Sequence, residues 1–194
     1  YGNTTILSDP ANATYNMSKF AETMTKTFYE DTGTHTKACY YFENNGADAS
    51  GNGNTITFGA QAGYASDLSG LSGYSLRNND ATAARAATSA SLNITGNITL
   101  ETLIQPVAGV PMMTLVEKGS DANRRCNYGL YLVNDQVRFG FNVDGTSAGW
   151  RNHTTTSTLA SYVDPGDTSG IYHVAAVYNG AEVKVYINGK SAPL

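Results

Sequence analysis

The sequence predicts an all-β chain: a two-sheet antiparallel jelly-roll sandwich with a short N-terminal helical extension. Three observations carry that expectation. Residues 171–190, IYHVAAVYNGAEVKVYINGK, place Val183, Val185 and Ile187 on one face and Glu182, Lys184, Tyr186 and Asn188 on the other. Such period-two alternation, closed by Asn179-Gly180 and followed by Asn188-Gly189, is the signal of a hairpin with one wetted face. Short apolar runs separated by Gly, Asn and Pro recur from residue 36 onward, about ten strands of 4–8 residues in all, which suits a sandwich. Charged residues make up only 14% of the 194, against about 25% in ordinary soluble domains. The exterior is therefore built from Thr, Ser, Asn and Gly, a composition common in secreted and surface proteins.

Taken in order, residues 1–35 form an extension and residues 36–194 the sandwich. Asp9-Pro10 is a helix start, and Ala13, Met17, Phe20, Ala21, Met24 and Phe28 follow at helical spacing until Thr32-Gly33. A helix over about 10–30 is expected, although its threonines lower its propensity. Its Phe/Met stripe packs either on its own domain or on a neighbouring subunit. Lys37–Phe42 reads as a first strand. Gly46–Asn54, GADASGNGN, reads as a shaped loop. Thr55–Phe58 and Tyr74–Leu76 read as short strands. Ile98, Leu100, Thr102 and Ile104 alternate with their neighbours until Pro106 ends the strand. Met112–Glu117, Tyr128–Val133 and Val137–Phe141 follow, the last two joined by Asn134-Asp135-Gln136. A short strand around Trp150 leads into a polar loop that ends at Pro165-Gly166.

Several function classes are disfavoured. Net charge is −4 and no basic run exceeds Arg124-Arg125, so the basic stripe that a nucleic-acid partner requires is missing. No apolar stretch approaches the ~20 residues of a membrane span. The chain begins at Tyr1 and reads as a processed product or a fragment. Neither Cys39 nor Cys126 belongs to a Cys-x-x-Cys pair. The two suit either one disulfide in an oxidising compartment or two buried thiols.

The order of motifs resembles the laminin-G-like jelly-roll domains of the concanavalin A-like lectin/glucanase superfamily, over roughly residues 38–190. Tyr40-Tyr41-Phe42-Glu43 and the DASGNGN run Asp48–Asn54 resemble that family's opening strand and loop. Ser91–Gly96 leading into Ile98–Glu101 resembles its next strand. Leu115–Ser120 with Tyr128–Leu132, and Tyr172–Asn179 with Val183–Gly189, fit the later pairs. Leu103 departs from the Trp usual in that family two residues after the signature Glu. The resemblance further implies strands beyond Leu194. The sandwich is therefore expected to be incomplete at its C-terminus, completed either by further chain or by a strand from a partner. Because both cysteines lie at or just before strands that carry the resemblance, they are expected to pair.

Candidate sites follow from the chemistry. Glycosidases need two carboxyl groups about 5–10 Å apart. Here Glu101 and Glu182 each stand alone in their strands, and Glu30-Asp31 falls at a helix end, so a non-enzymatic chain is expected. His35, His153 and His173 lack metal-ligand spacing, and His173 reads as a structural residue. Asp48, in its Gly/Asn loop, is the candidate Ca²⁺ ligand, with Asp80 and Asp144 weaker; loops of the resembled family often hold that ion. The bland alternative is that Asp48 and Ser50 only close their own loop as Asx and Ser turns. Trp150 and Arg151 are the candidate ligand-binding residues, since aromatic faces stack on sugars, although a lone Trp also suits a core. Sequons at Asn3, Asn12, Asn16, Asn93, Asn97 and Asn152 permit glycosylation. The expected function is an extracellular or surface-exposed recognition or adhesion module that binds a glycan or a surface protein through its rim loops. The alternative is a structural subunit of a filament, virion or appendage that assembles with copies of itself.

Overall fold

The computed structural model describes residues 35–60, 62–66, 73–78, 84–119, 127–143 and 147–194. The expected helix over 10–30 and the sequons at Asn3, Asn12 and Asn16 lie outside these residues, as do Cys126, Asp80 and Asp144. The chain divides into two compact units, residues 1–92 and 93–194. Both large sheets belong to the second unit, so the sandwich itself occupies the later part of the span expected for it.

In the first unit, β1 (Ile56–Thr57) pairs antiparallel with β4 (Arg85–Ala86), and β2 (Ala62–Ser66) with β3 (Tyr74–Asn78). The strand expected over Lys37–Phe42 does not form. Some of its backbone groups are bonded by the loop that follows: the Lys37 carbonyl accepts from Ser50 Oγ and Asn54 Nδ2 at 3.3 and 2.8 Å. Cys39 donates its N–H to Asp48 and accepts from the Ala49 N–H at 2.8 Å. Phe42 and Asn44 then turn left-handed at φ 57° and 54°, which breaks any extended run. β2, with the sequence AGYAS, was not anticipated, because Ala, Gly and Ser carry little strand propensity.

The second unit is the sandwich. One sheet has the order β12-β11-β10-β5, the other β6-β7-β8-β9. The strands are β5 (Ile98–Ile104), β6 (Met112–Lys118), β7 (Tyr128–Val133), β8 (Gln136–Asn142), β9 (Trp150–Thr154), β10 (Tyr172–Tyr178), β11 (Val183–Ile187) and β12 (Lys190–Ala192). All pairings are antiparallel. Alternation sends Leu130, Leu132, Val137 and Phe139 from one sheet, and Val174, Ala176, Val185 and Ile187 from the other, into one shared interior. The expected inward set Val183, Val185 and Ile187 is there, with Val185 and Ile187 fully buried.

Turn chemistry sets the registers. Asn188 and Gly189 both adopt positive φ (49° and 73°) between β11 and β12. Asn134 and Asp135 do the same (50° and 61°) between β7 and β8. Both are two-residue turns whose twist matches that of the strands they join. The Asn179-Gly180 connection is longer: Asn179 Oδ1 accepts from the N–H groups of Ala181 and Glu182 at 3.0 and 2.8 Å, an Asx turn that spans residues 179–182.

The stretch before Pro165, read from sequence as a polar loop, contributes to the core. A 3-10 turn over Leu159–Tyr162 buries both of its end residues in the interior. Thr155, also buried, accepts from the Val137 N–H at 3.1 Å and donates to the Ser157 carbonyl at 2.8 Å. Its hydroxyl is thereby satisfied without water.

Phe139 is fully buried at the centre of this interior and lies against Phe141, with ring centroids 5.5 Å apart. Phe139→Ala is expected to cost about 3–5 kcal/mol in a denaturant unfolding experiment. A loss below about 1 kcal/mol would mean that the two sheets do not share this core.

Candidate functional site

Each strand that feeds the interior also presents a second row of side chains on the opposite face. On the β6–β9 sheet this far row is unusual. Gly129 and Gly140 are register partners on β7 and β8. The Tyr131 ring lies over Gly129 and the Trp150 indole over Gly140, so a Cβ at either glycine would strike the ring above it. A strand-interior glycine costs roughly 0.5–1 kcal/mol relative to Ala. Two facing glycines roofed by flat rings recover packing that no larger residue would permit.

Polar groups surround these rings. A bulge between Thr114 and Val116 resets the alternation of β6, so that Glu117 stands opposite Gly129. The Tyr131 hydroxyl donates to Glu117 Oε2 at 3.2 Å. Tyr131 is only 5% exposed although it lies outside the interior cluster. Trp150 Nε1 donates to Asn152 Oδ1 at 2.9 Å, and Arg138 Nε donates to Thr154 Oγ1 at 3.1 Å. Trp150, Asn152 and Thr154 share this face because they alternate along β9, opposite Asn142, Gly140 and Arg138. The result is a half-buried, flat indole with an amide, a guanidinium and hydroxyls beside it.

Arg151 does not join Trp150. The two are neighbours in a strand and so point to opposite faces. Arg151 Nη1 donates instead to the Ala148 carbonyl at 2.8 Å. The expected pair is thus split, and the partners of Trp150 are Asn152 and, through the register, Gly140 and Arg138. Strand alternation was already visible in the sequence and could have separated Trp150 from Arg151. The glycine pairing required the register, which the sequence does not display.

The outer face of the other sheet holds a different group. His173, 7% exposed, has its Nε2 2.6 Å from Glu101 Oε1. Its backbone N–H donates to Asn188 Oδ1 at 2.9 Å, and Asn188 Nδ2 donates to the Tyr162 carbonyl at 3.2 Å. His173 therefore knits the hairpin to the loop beneath it. Glu101 and Glu117 lie in different sheets, on opposite outer faces of the sandwich.

In the first unit, Asp48 sits at the centre of its loop. Oδ1 accepts the N–H groups of Cys39 and Ser50 at 3.0 and 2.9 Å, and Oδ2 accepts that of Asn54 at 2.9 Å. Burial pulls this carboxyl upward, but the hydrogen bonds from Ser50, Cys39 and Asn54 outweigh it and hold the group below its usual 3.8. Both oxygens face N–H donors, which is the geometry of a loop clamp. A calcium site needs several converging oxygens, and among the described residues no three His, Cys, Asp or Glu side chains gather to hold a metal. The Asp48 oxygens are thus engaged by N–H donors of their own loop. The hub that sequence reasoning missed is Asn54, 3% exposed. Its amide donates to Lys37 and Ser91, its Oδ1 accepts from Ser89 Oγ at 2.5 Å, and its carbonyl accepts from the Tyr40 hydroxyl at 2.6 Å.

Among the sequons in the described residues, Asn93, Asn97 and Asn152 are exposed. The Asn152 side chain is already engaged by the Trp150 indole.

Two measurements test these assignments. Asp48→Ala is expected to release three amides at once, so that hydrogen exchange at Cys39, Ser50 and Asn54 speeds up together; unchanged protection would contradict the clamp. His153 stacks on Phe141 at 5.8 Å with planes 3° apart, and burial holds its pKa below the usual 6.5. The unfolded chain therefore binds this proton more readily, so stability falls as pH drops below about 6.5. His153→Phe, which keeps the ring stack, is expected to flatten that part of the urea-midpoint profile. An unaltered profile would contradict the assignment.

Comparison with known proteins follows the architecture. The crystal structure of the binding domain of Paraclostridial Mosquitocidal Protein 1 is similar in fold, with a TM-score of 0.53 and 16% identity over 75% of this chain and 36% of that one. This chain therefore spans little more than a third of that neighbour. No curated protein matches it significantly. A laminin-G-type family model matches residues 77–193, more than half of the sequence, and the chain belongs to the concanavalin A-like lectin/glucanases superfamily.

Proposed function

We propose that this chain is a non-catalytic glycan-recognition module of an extracellular or surface protein, and that its contact surface is the far face of the β6–β9 sheet around Trp150. The supporting observation is the indole laid flat over Gly140 with Asn152, Arg138 and Thr154 at its margins. A flat aromatic surface stacks on the C–H face of a pyranose. Amide, guanidinium and hydroxyl groups at its edge match sugar hydroxyls as donors and acceptors.

Binding is favoured over cleavage by the placement of the acids. Cleavage of a glycosidic bond calls for two carboxyl groups on one face, about 5–10 Å apart. Among the described residues of this face Glu117 is the sole carboxylate, and it is hydrogen-bonded to Tyr131. Glu101, across the sandwich, is engaged with His173. The superfamily contains both lectins and glucanases, and this arrangement fits the former.

A glycan array followed by calorimetry on the best ligand tests the reading. Trp150→Ala is expected to weaken binding about tenfold or more, equivalent to about 1.4 kcal/mol. Gly140→Val, which displaces the indole without removing it, is expected to do the same. Equal affinity in both variants would place the ligand elsewhere. Incubation with a polysaccharide panel is expected to release no reducing ends; release abolished by Glu117→Gln would overturn the non-catalytic reading.

A further inference from the structure

The far face of the β6–β9 sheet holds a cation near the indole without a counter-ion among the described residues. Arg138 is half-buried. Around it on this face stand its register partners, Tyr131 on β7 and Thr154 on β9, and, along β8, Gln136 and Gly140. None of the four is acidic. Arg138 Nε donates to Thr154 Oγ1 at 3.1 Å. The ion pairs among the described residues join His173 to Glu101, Lys184 to Glu182 and Lys190 to Asp164, and none includes Arg138. Glu117 stands beyond β7, opposite Gly129, and accepts from the Tyr131 hydroxyl. A guanidinium partly withdrawn from water without an opposite charge is unfavourable. An anion supplied by a ligand would relieve it.

We propose that the glycan bound on this face is acidic, with its anionic group, a carboxylate or a sulfate ester, on Arg138 and the adjoining sugar ring on Trp150. The proposal rests on the glycan-recognition function given above and adds the charge of the ligand to it. Arginine stays charged throughout the physiological range. The Thr154 hydroxyl engages Nε, which orients the fork and leaves Nη1 and Nη2. Those two groups can hold both oxygens of one anion in parallel hydrogen bonds. Gly140, beneath the indole, lies two residues from Arg138 on the same face, about 6–7 Å along the strand. A ring stacked on the indole therefore brings its acidic substituent to the guanidinium. A neutral glycan stacks on the same indole but supplies no counter-charge, so it binds more weakly.

Stacking and charge recognition thus fall to different residues, which makes them separable by mutation. The Nε bond to Thr154 also sets arginine apart from lysine here. A lysine would keep the charge but present a point ammonium without the fork.

Calorimetry on matched pairs of ligands tests the proposal. The probes are trigalacturonate, a hyaluronan tetrasaccharide and sialyllactose, each against its methyl ester, and sulfated lactose against lactose. At least one acid is expected to bind about tenfold or more tightly than its neutral counterpart, and the advantage is expected to shrink as salt is raised. The pairs that show the preference identify the anion as carboxylate or sulfate. Arg138→Gln is expected to bring the acid-to-neutral ratio to about one, and Arg138→Lys to an intermediate value. Trp150→Ala is expected to weaken acid and neutral forms by the same factor and to leave the ratio intact. Equal affinities within every pair would overturn the proposal, as would an acid preference that survives Arg138→Gln. In either case, binding that Trp150→Ala still weakens would leave the recognition face standing. A ratio lost in Arg138→Gln, with affinities indifferent to Trp150→Ala, would support the anion site and reject the stacking platform. No binding by any of these probes would overturn the proposal and, with a silent glycan array, the recognition function as well.

Discussion

The structure of the second unit depends on one constraint: two antiparallel sheets must bury a single apolar row from each strand in a common interior. Phe139, Leu130, Val137, Val174, Val185 and Ile187 meet there with no exposure above 0%. Burial of this kind, at about 25 cal/mol per Å² of apolar surface, is the main favourable term of a sandwich. It also fixes what the remaining side chains do. A one-residue slip in any strand would exchange its two faces, so the row that packs inward dictates the row available for contact. The Asn134-Asp135 and Asn188-Gly189 turns hold those registers.

The two outer faces have been put to different uses. One carries Glu101 hydrogen-bonded to the buried His173, whose backbone is locked to Asn188 and, through it, to the Tyr162 loop. That face reads as structural reinforcement. The other carries facing glycines beneath Tyr131 and Trp150. Glycine weakens a strand, so this pairing must be compensated by the rings that cover it. The compensation leaves an indole over Gly140, edged by polar groups. The proposed contact surface thus lies on the face where backbone propensity was sacrificed. The Asp48–Asn54 loop of the first unit follows a third logic, in which side chains close the hydrogen bonds that a strand would otherwise have made.

Much of the fold was legible in the sequence. The alternation of Val183, Val185 and Ile187, the Asn-Gly turn at 188–189 and the run from Ile98 to Ile104 specify their own structure locally. The resemblance to laminin-G-like domains rested partly on motifs in these segments and agrees with the superfamily match over residues 77–193. Features that depend on long-range pairing were not legible. Gly129 meets Gly140 only once β7 and β8 are in register. Leu159 and Tyr162 look like members of a polar loop until a 3-10 turn brings both onto the interior side. Lys37–Phe42 has strand composition, yet the Asp48 loop satisfies its backbone first. Trp150 and Arg151 were the candidate pair, and strand alternation, already contained in the sequence, places them on opposite faces of β9.

The most direct test is a titration of the isotopically labelled chain with the neutral oligosaccharide that binds best, followed by amide and indole chemical shifts. The account predicts that the Trp150 indole N–H, the Asn152 side-chain amide and the Gly140 amide move first and together. It also predicts that the amides of Asp48, Ser50 and Asn54, and those around Glu101 and His173, stay in place. Shifts centred on the Asp48 loop or on the Glu101–His173 face, with the indole unmoved, would contradict it.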